Sequence, residues 1–353
     1  AGYDILRISL DGRDTVVLNE TKLTADDSDF LDSSAENGVT YAYSLRLLLI
    51  GSDECPITNP DLATPGQAFG WLVAGDGSRV SYMTPDFRDE IYSLDGDFFL
   101  AEELQLSPGQ KEVWVLDRAY DKISRFSVNG EQLEDATVFN NITAFAFNYQ
   151  NGSLWLAVGG TEGALYHFDG NGILSESFRT GIQATSVAVD YPHDGAWVGS
   201  SQALVARVRN GRLSHLEHPD FIHPELVAAG KYSTNVWVLD TGAKTLFLFS
   251  DGQFRLSLDG FADPNDLAAD NEGTTCWVAD PPADLLYEID EGGNITGTLG
   301  NLGQPWLLTG SPVGKAVYVT GRSGLISKVV LGPAVQWQVQ HPDYPGRIAL
   351  EVR

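Results

Sequence analysis

An all-β protein made of one small sheet repeated seven times is what this sequence predicts. An aromatic residue recurs about every 40 residues, runs of alternating apolar and polar residues surround each occurrence, and no stretch carries helical periodicity. The aromatic series is Trp71, Trp114, Trp155, Trp197, Trp237, Trp277 and Tyr318, with gaps of 43, 41, 42, 40, 40 and 41. A period of that length points to a repeat architecture.

Each copy follows one grammar. An alternating run holds the aromatic ("EVWVLD", "SLWLAV", "GAWVGS", "NVWVLD", "TCWVAD", "AVYVTG"), a short polar turn follows, and a second alternating run comes next ("KISRFSV", "ALYHFDG", "ALVARVR", "TLFLFSD", "DLLYEID"). Period-two alternation rich in β-branched and aromatic residues is the strand pattern. Asn129-Gly130, Asp169-Gly170, Asn210-Gly211 and Asp251-Gly252 then supply dipeptides that accept positive φ and suit two-residue hairpin turns. A third strand follows, and a short run ("AFAFNY", "TSVAVD", "ELVAAG", "NDLAAD", "PWLLTG") precedes the next aromatic strand. Four strands in about 40 residues describe the blade of a β-propeller.

The first aromatic copy lacks such a run, because "NPDLATPGQ" before it is turn-rich, whereas "RIALEVR" at 347–353 is left over after the last copy. The C-terminal strand is therefore expected to return as the innermost strand of the first blade. Seven blades result over 61–353, and closure removes exposed sheet edges. The aromatic series is read as blade-to-blade packing. Asp117, Asp240 and Asp280, at the ends of three aromatic strands, are read as turn caps.

The W-V-x-D pattern, its turn and the run ending in Asp-Gly make residues 65–353 resemble the NHL-type and streptogramin-lyase-like propellers. That resemblance implies the fold and leaves the activity open, since such propellers host binding proteins, lyases and lactonases. Its streptogramin-lyase branch implies histidines and a glutamate from separate blades around magnesium, but the inner runs "SVAVD", "LVAAG" and "DLAAD" hold no histidine. Its lactonase branch implies a Glu, Asn and Asp set in the channel, to which Asn265, Asp266, Asp190 and Asp270 come nearest.

The first 55 residues break the period. "YDILRISLDGRDTVVLNE", "DFLDSS" and "NGVTYAYSLRLLLI" resemble the second half of a fibronectin type III domain, with Tyr41 after Asn37-Gly38 where that family places its corner tyrosine. The two leading strands are absent, so an incomplete β-sandwich is expected over 1–60, cut from a longer chain or completed by β-addition from another. Residues 54–66, "ECPITNPDLATPG", would hold its last strand and a Pro-rich connection. The start at Ala1 reads as a processed or trimmed terminus. The resemblance implies an extracellular, cell-surface or periplasmic location.

Composition narrows the partners. The 22 Lys+Arg against 48 Asp+Glu give a net charge of −26, which repels nucleic acid and anionic lipid. Cys55 and Cys276 form no disulfide framework, and Cys276 beside Trp277 reads as a small core residue. No apolar run is long enough to span a membrane. Sequons stand at Asn19, Asn141, Asn151 and Asn294.

Two candidate sites stand out. Arg118, Tyr120, Asp121, Lys244 and Arg322, on loops after the aromatic strands, are expected to share a mixed-charge binding face with an aromatic for stacking on a sugar or a side chain. In "SHLEHPDFIHPEL", three of the six histidines, His215, His218 and His223, crowd with Asp220 and Glu217 into the link between the fourth and fifth blades. Imidazole and carboxylate are ligands for zinc and related ions, although the spacing H-x-x-H-x4-H matches no established signature. The function expected is a non-enzymatic binding or structural scaffold for a protein or glycan, with no cofactor. The alternatives are a propeller lyase or lactonase-type hydrolase holding a divalent cation, and a subunit of a larger extracellular assembly.

Overall fold

The computed structural model describes residues 2–9, 15–19, 21–24, 30, 32, 35, 41–48, 56–58, 61–63, 69–109, 111–133, 136–311, 315–341 and 345–350. Cys55, the Asn37-Gly38 turn and residues 351–353 of the expected closing strand lie outside them. The protein is all-β, with eight four-stranded antiparallel sheets among the described residues, and it divides into two compact units, Ala1–Ala68 and Phe69–Glu351. No helix among these residues is long and apolar enough to cross a membrane.

The first unit holds one sheet, in the order Thr15–Val17, Gly2–Ser9, Tyr41–Leu48, Asp61–Ala63. Leu6 and Ala42 are buried. Asp32 accepts hydrogen bonds from Arg7 Nη1 (2.8 Å) and the Tyr43 hydroxyl (3.0 Å). Burial and that carboxylate push the Tyr43 hydroxyl up to about 12. Tyr41 opens its strand with its ring 4.7 Å from the Arg7 guanidinium. Asn19 is no exposed sequon, because its amide is turned inward to the Ile5 N–H (2.7 Å) and the Thr21 carbonyl (2.9 Å). The second sheet of a sandwich is not among the described elements.

The second unit is propeller-like and contains the other seven sheets, each a simple up-and-down ladder. The innermost strands are Ala101–Leu106, Ile142–Phe147, Ala184–Asp190, Leu226–Ala229, Asp266–Ala269, Pro305–Gly310 and Pro345–Leu350. Each lies against the innermost strand of the next sheet, and Pro345–Leu350 lies against both Pro305–Gly310 and Ala101–Leu106. Pro345–Leu350 pairs with Gly70–Ala74, the first strand of the unit, and so completes that sheet.

The aromatic series sits on the second strand of every sheet. Trp71, Trp155, Trp197, Trp237 and Trp277 are at most 1% exposed, which accounts for the repeat as packing between sheets. The residue paired across the strand often lies over the ring: His167 stacks on Trp155 at 4.0 Å and the Arg207 guanidinium covers Trp197 at 4.3 Å. Trp114 departs from the series, being only partly buried.

The turns correct the expectation in part. Asn210-Gly211 (φ 49 and 68) and Asp251-Gly252 (φ 52 and 78) are two-residue turns with both φ positive. At Asn129-Gly130 only the glycine (φ 90) is left-handed. Asp169-Gly170 is not such a turn: the loop runs on to Gly172 (φ 78) because the Asp169 carboxylate accepts the N–H groups of Asn171 and Ile173, both at 2.9 Å.

Candidate functional site

The turn after each second strand and the link into each sheet meet at one end of the second unit, and strand-end aspartates knit them together. The wholly buried Asp240 accepts the N–H groups of Ile222 (2.7 Å) and His223 (2.9 Å) from the incoming link and of Ala243 (2.7 Å) from its own turn. Asp117 does the same for Phe99 (2.7 Å) and Ala119 (3.0 Å), and Asp280 holds Ala262 (2.6 Å) and Asp263 (3.0 Å). Asp117 and Asp240 are turn caps, as their position predicts, and they also anchor the preceding link; Asp280 anchors only the preceding link, because Pro281 and Pro282 after it offer its carboxylate no N–H.

The five loop residues lie at this end but play different parts. Asp121 (φ 50) and Lys244 (φ 53) hold the left-handed position of their turns, and the Lys244 ammonium reaches Asp263 at 3.3 Å and the Ala262 carbonyl. Arg118 pairs with Glu102 and donates to the Thr143 carbonyl (2.9 Å), bridging the second and third sheets. The Arg322 guanidinium lies 3.4 Å from the ring centre of Trp306, at the mouth of the seventh sheet. Tyr120 is 56% exposed beside Phe99, which is 67% exposed, with ring centres 6.2 Å apart. Two large exposed aromatics in contact, close in sequence to the Arg118–Glu102 pair, make an apolar point on this end.

Below the mouth, the innermost strands present polar side chains to one another. In five sheets the ladder skips a position at the start of the strand, leaving Glu102, Thr143, Thr185 and Trp306 unpaired, as well as residues 346–347. The Thr185 and Ser186 hydroxyls donate to the Glu225 carbonyl (2.5 and 2.7 Å), and the Asn265 amide donates to the Trp306 carbonyl (2.7 Å). One layer deeper, Asp266 accepts from the Leu308 N–H (2.8 Å) and from Arg347 (2.7 Å), while Glu103 accepts from the Phe145 N–H (3.2 Å) and the Gln105 amide (3.0 Å). Burial pushes the Glu103 carboxyl above the ordinary carboxylate range, against the pull of Arg347 and the two hydrogen bonds. Burial lowers Arg347, and the carboxylates of Asp266 and Glu103 more than offset it.

Of the channel carboxylates considered from sequence, Asp266, with Asn265 beside it, faces this layer. Asp190 and Asp270 do not: both stand where the innermost strand leaves the sheet at the opposite end. Asp190 binds Arg207 (2.8 Å) and His193 (2.8 Å), and Asp270 caps its turn through Thr274 and Thr275 while meeting Lys315 at 3.3 Å.

The histidine-rich segment is not one site. His215 lies within the strand Arg212–Leu216 and meets the Thr180 carbonyl of the neighbouring sheet at 2.7 Å. His218 is packed among Phe221, Phe247 and Phe254, and its Nδ1 accepts the Asp220 N–H (3.3 Å). His223 is exposed beside Gly242. Among the described residues no group of three or more His, Cys, Asp or Glu side chains converges to hold a metal ion. Nearness in sequence is undone here because the strand and the link send the three rings to different neighbours.

No protein-family model matches this sequence, and no curated protein matches it. Solved structures do. A functionally unknown protein from Desulfotomaculum acetoxidans superposes with a TM-score of 0.66 at 10% identity, over 80% of this chain and 99% of its own. Hydrazine synthase of Kuenenia stuttgartiensis superposes with a TM-score of 0.56 at 12% identity, over 65% of this chain and 76% of its own. The likeness is one of fold. Glu102, Glu103, Phe99, Trp306 and Arg347 escaped the sequence reading. Their signal was the residue pair opening each inner run, which the apolar pattern downstream overshadows.

Proposed function

We propose that the second unit, from Phe69 on, forms a seven-bladed propeller of the NHL or streptogramin-lyase-like type, closed by Pro345–Leu350 and preceded in sequence by a partial fibronectin type III-like module that keeps Asp61–Ala63. The cyclic neighbour order of the seven innermost strands supports the closure. On this reading the chain is a non-enzymatic scaffold outside the cytosol that recognises a protein or glycan through the end bearing the Arg118 loop. The observation that carries it is the exposed Phe99–Tyr120 pair beside Arg118. Aromatic and arginine side chains are the groups that dominate protein interfaces, so the pair favours a protein.

The channel supports binding over turnover. Its acids are engaged by Arg347, Arg118 and backbone N–H groups, and no histidine stands beside them as a base. Two measurements test the reading. Affinity capture from the native source with the wild type and with a Phe99→Ser/Tyr120→Ser variant should show a partner that the variant loses; equal retention by both rejects this face. Elemental analysis after exhaustive dialysis should find no stoichiometric metal, and a stoichiometric magnesium or transition metal overturns the scaffold in favour of a metal-dependent lyase or hydrolase.

A further inference from the structure

At the opposite end of the second unit, the wedge between the second and third sheets holds a cleft of about 540 Å³, lined by Lys111, Glu112, Trp114, Arg125, Phe168 and Asn171. Other wedges are sealed there by the hairpin turn of the following sheet. A Cβ on Gly252 would stand 2.7 Å from Arg207, one on Gly130 3.1 Å from Tyr92 and one on Gly211 3.0 Å from Glu176, while the Gly332 N–H bonds to Glu288 at 3.1 Å. The third sheet's turn is the longer Asp169–Gly172 loop, folded back on the Asp169 carboxylate, and a Cβ on Gly172 would meet nothing within 4 Å. The turn stands off its neighbour, which is why Trp114 alone among the seven-membered aromatic series keeps part of its ring uncovered.

The opened ring is held rigidly. Trp114 Nε1 donates to Glu112 (2.9 Å), and Arg125 clamps that carboxylate through two bonds (2.8 and 3.1 Å) while lying 5.1 Å from the indole centre. Burial would raise the Glu112 carboxyl, but Arg125 and the indole N–H hold it below the usual range. Phe147 meets the ring edge-on at 5.1 Å from the other sheet. The exposed Lys111 ammonium completes the rim, beside the Asn171 amide, which is hydrogen-bonded to the Asp169 carboxylate. Formal charge at the rim balances, Glu112 and Asp169 against Lys111 and Arg125.

We propose that this cleft binds a short neutral oligosaccharide. An aromatic floor of Trp114 and Phe168 suits the apolar face of a pyranose, and the ring of carboxylate, guanidinium, ammonium and amide groups suits its hydroxyls. The balanced rim on a chain of net charge −26 disfavours an anion. The volume falls within the roughly 300–1,000 Å³ of small-ligand sites.

The test is calorimetric titration of the whole chain with cellotetraose, maltotetraose, mannotetraose and tetra-N-acetylchitotetraose. At least one is expected to bind below about 1 mM, with Trp114→Ala weakening it about tenfold or more. The exposed substitution Lys111→Ala should weaken it severalfold without moving the melting temperature, which separates lost contacts from lost fold. Absence of binding by all four probes, or binding that survives both variants, overturns the proposal. So does binding of a hydrophobic or cationic peptide that protects Lys111 from acylation when none of the sugars does.

Discussion

Asp117 and Asp240 each hold two pieces of chain with one carboxylate, and the cost of losing one can be bounded. Asp240→Ala would strand three N–H donors at a wholly buried position, where each unsatisfied group costs roughly 1–3 kcal/mol. A loss of about 3 kcal/mol or more is expected in chemical denaturation, with Asp240→Asn milder because its amide oxygen still accepts. Glu103 acts on stability through pH. Its carboxyl is raised in the folded chain, so the folded state holds the proton more tightly than the unfolded one. That contribution is full below the unfolded value, about 4.3, and is lost as pH rises through the folded value. Glu103→Gln should therefore remove a fall in stability on going from acid to neutral pH. Denaturation midpoints of the two proteins across that range check it, and parallel profiles would count against a buried, titrating Glu103.

Turns divide the wedges into sealed and open ones, and a pair of glycines isolates the difference. Gly252 and Gly172 share φ 78, so the backbone penalty for alanine is about equal at the two. Only at Gly252 would the methyl press on Arg207, which is buried and pinned to Asp190. Gly252→Ala is expected to destabilise by roughly 1 kcal/mol more than Gly172→Ala, read by melting temperature. Equal losses would mean the two turns stand off their neighbours alike. Elements were also where the sequence was most readable. Alternation and the aromatic spacing located every second strand of the second unit and five of its third strands, and "RIALEVR" announced the strand that pairs with Gly70–Ala74. The stand-off of the Asp169–Gly172 loop was hidden, since "DG" looks alike whether its aspartate opens a tight turn or captures two N–H groups. The Asp190–Arg207–His193 set was equally hidden, because its members come from three segments of one sheet and only the fold makes them adjacent.

The whole of the second unit rests on a non-local pairing. Every innermost strand touches the next, so taking away Pro345–Leu350 exposes the edge of Gly70–Ala74 and the flanks of two neighbouring sheets at once. A chain ending at His341 should lose cooperative unfolding by circular dichroism and elute as aggregate in size exclusion, a far larger effect than twelve residues at a terminus ordinarily have. Retention of a sharp transition at the wild-type midpoint would show that the other six sheets hold together without the sheet of Gly70–Ala74 being completed.

The same strand sets a clock. Within the second unit Gly70–Ala74 leaves the ribosome first, but its partner is made only after the other six sheets have been translated, so the sheet begun first is finished last. Through most of synthesis the nascent chain carries an unsatisfied edge, and a stalled or truncated chain carries it permanently. An interrupted second unit thus differs from a finished one by a single exposed strand edge.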